Sequence, residues 1–149
     1  MSKINKYFIY LCGGMGSFGK ERFNESNEWR VDIKEKLEDI SGGKVVAINP
    51  NDHFSFLNDS NINEREVMEY DLHRVRESDL IIVNFNDPKS IGSAAEMAIA
   101  YDRRIPILGL CEDCEAEELH PWLREFCNKI FTDREELLLY VCKHYINGD

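Results

Sequence analysis

Asp79 to Ala100 reads DLIIVNFNDPKSIGSAAEMAIA, and the fold follows from it. Residues Asp79 to Phe85 form a short, β-branched apolar run, the pattern of a strand buried on both faces. Asn86-Asp87-Pro88-Lys89 is a turn, because proline cannot continue a ladder and Asn and Asp accept tight backbone angles. Ser90 suits a helix N-cap, and Ile91 to Ala100 then reads as a helix whose only polar members are Ser93 and Glu96. A lone carboxylate in such a segment is expected to face the strand ends, where free N–H groups of a helix start favour an anion. That makes Glu96 the first candidate for chemistry, and it predicts that the helix start keeps it ionised.

Outward from this unit the chain alternates. Lys6 to Cys12 is a first strand and Lys44 to Pro50 a second. Arg104 to Leu110 is a fourth and Lys129 to Phe131 a short fifth. Between them lie a helix capped by Ser26 or Asn27 and ended by Ser41-Gly42-Gly43, a helix from Glu64 to Ser78, a helix from Glu115 to Cys127 broken at Pro121, and a last helix from Arg134 to Tyr145. This order predicts a single α/β domain over residues 1–149, a flavodoxin-like or Rossmann-like three-layer sandwich with a five-stranded parallel sheet. Ligands of such sheets bind at the carboxyl ends of the strands, the edge to which Gly13, Gly14, Asn49, Asn86 to Ser90 and Cys111 belong.

A second anomaly lies in the Glu64–Ser78 segment. Val67, Met68, Leu72 and Val75 form one apolar stripe, and Asp71 falls on it, four residues from both Val67 and Val75. The plain alternative is a half-exposed Asp71 paired with Arg74 or Arg76. Gly14-x-Gly16-x-x-Gly19 follows the first strand and matches a dinucleotide fingerprint formally. Polar residues Lys20 to Asn27 separate it from its helix, and no acidic residue ends the second strand, so a loop over a pocket is the better reading. The polar run Asn51 to Asn63 is a second loop of functional length.

Net charge is −10, which argues against contact with nucleic-acid backbone. No apolar run approaches a membrane span and no export signal opens the chain, so a cytoplasmic location is expected. Five cysteines then read as reduced thiols. Cys111-x-x-Cys114 with Cys127, His120 or His144 lacks the paired spacing of a zinc site, so neither metal nor cofactor is called for.

The combination of Tyr10-Leu11-Cys12-Gly13-Gly14, Asp71-Leu72 and Ser90-Ile91-Gly92-x-x-x-Glu96 resembles the nucleoside 2-deoxyribosyltransferase superfamily, in particular its 2′-deoxynucleoside 5′-phosphate N-hydrolases and CMP-type N-glycosidases. The resemblance runs from Tyr7 to about Trp122. It implies that Glu96 attacks the anomeric carbon, that Asp71 handles the sugar or the leaving base, and that Tyr10 orients Glu96. It also implies contacts to a small nucleoside or nucleotide from Gly13, Gly14, Met15, Arg30, Asn86, Ser90, Gly92 and Ser93. His120 matches a polar residue reaching a neighbouring subunit's site, which implies a homodimer or larger homo-oligomer. Ser90 stands where the nucleotide hydrolases carry serine and the nucleoside transferases an acid. Gly14-Met15, in place of a serine-containing loop, and Trp29-Arg30 depart from the hydrolases. Two other readings use the same edge: a non-catalytic nucleotide sensor, or a glycohydrolase of an NAD-type dinucleotide.

Overall fold

A computed structural model of the chain describes residues 5–14, 23–53 and 63–146, the side chains of 23–25 excepted. Its centre is a five-stranded sheet of β1 (Tyr7–Gly13), β2 (Val45–Ile48), β3 (Leu80–Asn84), β4 (Ile107–Leu110) and β5 (Lys129–Phe131). The strands are all parallel in the order β2-β1-β3-β4-β5. This is the flavodoxin-like α/β arrangement that the alternation predicts. The chain moves outward from β1 to β2 and returns across it to β3, so the strand order reverses between β1 and β3. Their carboxyl ends, Gly13 and Asn84, lie side by side in register at that reversal.

Strand alternation divides the core into two layers. Ile9 and Leu11 of β1, with Ile82 and Leu108, pack against Trp29, Ile33 and Leu37 of α1 (Phe23–Ile40) and against Leu137, Leu138 and Val141 of α5 (Arg134–Val141). Tyr10 and Cys12 point the other way. There, Val75 of α2 (Glu64–Glu77), Met97 and Ala100 of α3 (Ile91–Asp102) and Leu123 of α4 (Pro121–Phe126) close the opposite face. Helices thus cover both faces, as continuous apolar strands require.

Helix ends follow their side chains. Asn63 caps α2 by accepting from the Arg65 and Glu66 amides, and Ser90 caps α3 by accepting from the Ser93 amide. After α1, Gly42 and Gly43 take φ of 62° and 86°, and the Gly43 amide reaches back to Glu38 O at 3.0 Å. A side chain is strained at such angles, hence the paired glycines.

Several boundaries differ from the sequence reading. α1 runs from Phe23, so Ser26 and Asn27 lie inside the helix rather than at its N-cap. Pro121 does not break a helix but opens one: it sits at the first position of α4, where its missing N–H is no loss, and His120 is the cap. The segment before it holds only a 3₁₀ turn, Ala116–Glu118. α5 ends at Val141 and continues as a wider π turn, Cys142–Ile146. Met15, the loop glycines Gly16 and Gly19, and Phe54, Phe56 and Leu57 lie outside the described residues. Among the described residues no helix is long and apolar enough to cross a membrane.

Candidate active site

Two helices and one strand bring the candidate residues together. In α3 the buried positions are Ser93, Glu96, Met97 and Ala100, a stripe at helical spacing, so Glu96 is carried inward by the same periodicity that packs its neighbours. In α2 the buried positions are Val67, Asp71 and Val75, and Asp71 is carried inward in the same way. Tyr10 comes from β1 on the face shared with these helices. Glu96 is 8% exposed and Asp71 7%, too little for either to be an ordinary surface carboxylate.

Neither carboxyl is fully satisfied. Glu96 Oε2, Asp71 Oδ1 and the Tyr10 hydroxyl are buried without a hydrogen-bond partner. The pairing of Asp71 with an arginine does not occur: Arg74 donates to Glu77 Oε1 at 3.3 Å, and Arg76 lies exposed. Orphaned buried polar atoms cost stability, and each calls for an explanation such as a catalytic role or a bound water or ion.

Burial sets the proton affinities. It lifts Glu96 from 4.5 to about 7; the Tyr10 hydroxyl opposes the lift, nearby Asp71 adds to it, and Arg30 offsets part of it. Tyr10 acts across a close approach without a hydrogen bond of full geometry. Burial likewise lifts Asp71 from 3.8 to about 7, against the pull of Arg30. The expectation that a helix start keeps Glu96 ionised is therefore overturned. Glu96 is the sixth residue of α3, past the first turn to which a helix dipole reaches, and desolvation dominates. Tyr10 itself, buried and facing two carboxyls, is pushed well above its ordinary value and remains a proton donor.

The carboxyls open onto a cleft of about 590 Å³ at the strand-order reversal. Of the residues singled out in the sequence, Gly13, Asp71, Ser90, Gly92, Ser93 and Glu96 line it. Tyr10 lies behind them, wholly buried. Asn86 is not among the lining residues; its Oδ1 accepts from the Gly14 amide at 3.1 Å and ties the end of β1 to the turn after β3. Gly13 is required by close approach: a Cβ there would sit 2.9 Å from Trp29 Cζ2 and 3.1 Å from Arg30 Nη2. At Gly92 a Cβ would meet nothing within 4 Å, so its surface is open to a ligand.

One expectation is corrected. Arg30 does not reach the open edge: it is wholly buried behind Gly13, its donors turned to backbone carbonyls. His120 lies outside the lining of this cleft and is exposed, with Nδ1 accepting from the Trp122 amide at 3.1 Å. The sequence reading also missed the apolar wall. Met68, on the apolar stripe of α2, is 53% exposed, and with Leu72, Ile91 and Ala95 it forms the cleft's greasy side. The available signal was Ile91 at the first position of α3, an apolar residue with no core to enter.

A wider cleft of about 730 Å³ opens at the opposite end of the sheet, before β4. Its lining residues are exposed or half-buried, and none is an orphaned carboxyl. Cys111, Cys114 and Cys127 are free thiols, and no group of three or more His, Cys, Asp or Glu among the described residues is placed to hold a metal ion.

This geometry can be set beside known proteins. A conserved protein from Enterococcus faecalis V583 superposes with a TM-score of 0.72 at 18% identity, covering 93% of this chain and 98% of its own. A 2-deoxyribosyltransferase from Leishmania mexicana gives 0.66 at 16%, covering 93% and 99%. This chain has the fold of the 2-deoxyribosyltransferases. A CMP N-glycosidase from Clostridium botulinum, BcmB, shares that fold with a TM-score of 0.58 at 17% identity, covering 92% and 98%. No protein-family model matches the chain, and no curated protein matches it.

Proposed function

We propose that this chain cleaves the N-glycosidic bond of a 2-deoxynucleoside or its 5′-monophosphate. The observation that carries the reading is the orphaned carboxyl pair, Glu96 and Asp71, buried at the cleft where the strand order reverses. Departure of a base from C1′ passes through an oxocarbenium-like state and calls for one carboxylate and one proton. Ionised Glu96 attacks C1′ and forms a glycosyl ester as the C1′–N bond breaks. Protonated Asp71 gives its proton to the departing base. Water or a second base then attacks C1′, regenerating the Glu96 carboxylate and returning a proton to Asp71. Tyr10, locked as a donor, orients Glu96. The wall of Met68, Leu72, Ile91 and Ala95 is suited to the faces of base and sugar.

A 5′-phosphate has a place at the start of α3. The Ser90 hydroxyl already serves the Ser93 amide at 3.2 Å and the Ser93 hydroxyl at 3.1 Å, so its share in binding is as part of the cap. The amides of Ile91 and Gly92, at the unpaired first turn, and the exposed Lys89 beside them supply the remaining donors. The test is a panel of nucleosides and monophosphates assayed for free base with wild type and Glu96→Ala. Base release by wild type alone supports the reading. No release across the panel, with nucleotide binding retained, would make the chain a sensor.

A further inference from the structure

α2 turns one face to the cleft: Glu64, Val67, Met68, Asp71 and Leu72, at the i, i+3, i+4, i+7, i+8 spacing of a single helical stripe. The middle of the stripe is apolar, and an acid stands toward either end. Asp71 is buried at the inner end. Glu64 opens the helix, exposed at the mouth of the cleft, about 10 Å from Asp71 along the axis at a rise of ~1.5 Å per residue. An acid in a first helical turn needs no ligand to explain it, and Glu66 is one of that kind. Glu64 differs from it by lining the cleft, as Glu66 does not. The ion pairs of α2 engage Glu69 and Glu77 and leave Glu64 without one among the described residues.

On the glycosidic reading above, on which this rests, the direction of the ligand follows from which helix carries which acid. Glu96 of α3 attacks C1′, and Asp71 of α2 protonates the base. The base therefore lies along α2. The 5′ group turns to the start of α3, where Lys89 and the Gly92 amide favour an anion and Glu64 is absent. From Asp71 outward the base runs past Leu72 and Met68, with its far end at Glu64. That end, opposite the glycosidic nitrogen, is the 4-substituent of a pyrimidine or the 6-substituent of a purine. It is an amino group in cytosine and adenine, and a carbonyl oxygen in uracil, thymine, guanine and hypoxanthine. A carboxylate can only accept, so it bonds the amino group and repels the carbonyl.

We propose that Glu64 is a specificity-determining residue of this cleft: it reads the far end of the base and selects amino-bearing cytosine or adenine over their oxo counterparts.

The experiment compares base release from matched pairs, 2-deoxycytidine with 2-deoxyuridine and 2-deoxyadenosine with 2-deoxyinosine, each as nucleoside and 5′-monophosphate. Wild type should favour the amino member by about tenfold or more in kcat/KM. Glu64→Gln, whose amide can also donate to a carbonyl, should bring each pair within about threefold, chiefly by raising the oxo member. Glu66→Gln removes the same charge outside the cleft and should keep the wild-type ratio. A wild type indifferent to the pairs, a preference that survives Glu64→Gln, or an equal change in Glu66→Gln would overturn the proposal. Calorimetric binding of the same monophosphates to Glu96→Gln, with and without Glu64→Gln, needs no turnover. An amino preference there that vanishes with Glu64, in a chain that released no base, would sink the glycosidic reading and leave Glu64 as the reader of the base. Base release without a Glu64-dependent preference would sink this proposal alone, and binding of neither member would sink both.

Discussion

Replacing Glu96 by glutamine should make the protein more stable at pH 8 while removing its chemistry. The displacement of Glu96 from 4.5 to about 7 corresponds to about 3 kcal/mol. Between those values the folded protein holds a proton that the unfolded chain has released. Stability is therefore full below pH 4.5 and falls as the pH rises through 7. Asp71, lifted from 3.8 to about 7, adds a fall of the same sign. Glutamine has nearly the same shape and never ionises, so Glu96→Gln should match wild type near pH 4.5 and exceed it by about 2–3 kcal/mol at pH 8. For a chain of this length that is a rise of about 5–10 °C in Tm. Urea titrations at half-unit intervals from pH 4.5 to 8, followed by far-UV circular dichroism, would measure it. A gain that did not grow with pH, or a variant less stable than wild type at pH 8, would refute the reasoning that desolvation governs Glu96.

Other expectations concern the same cleft. Asp71→Asn should slow release of a poor leaving base by about a hundredfold or more and affect an activated nitrophenyl glycoside far less, in parallel steady-state assays; equal losses would give Asp71 a binding or structural role. Ser90→Ala should lower stability by about 1 kcal/mol through the lost cap, read by urea unfolding, and should weaken any preference for monophosphates in kcat/KM; an undisturbed preference would move the phosphate away from α3. His120 and the 70%-exposed Trp122 form the surface on which a homodimer would be built, and Trp122→Ser should dissociate it in sedimentation; a wild type that sediments as a monomer would end that idea.

Much of this was legible in the sequence because local pattern and global fold agree. The β-branched run before Pro88, the Ser90 cap and the small-residue helix specify β3 and α3 without reference to distant residues. Asp71 betrayed itself by falling on an apolar stripe. What stayed hidden depends on long-range packing. Arg30 looks in sequence like a surface cation beside an aromatic; only the closure of α1 on β1 turns it onto the carbonyls of Leu11 and Gly13, 19 and 17 residues away. The proton affinity of Glu96 was misread because helix position is a local quantity and desolvation is not. Met68 shares the apolar stripe of α2 yet lies exposed, because periodicity shows which residues share a face, not whether another element covers it.

The most direct test of the central claim is the intact mass of the protein quenched during reaction with a slow 2-deoxy-2-fluoro nucleoside and its monophosphate. The expected result is an added mass equal to the fluorinated sugar, or its phosphate, located by peptide mapping to Glu96 and absent from Glu96→Gln. Base release accompanied by an adduct on any other residue would contradict it.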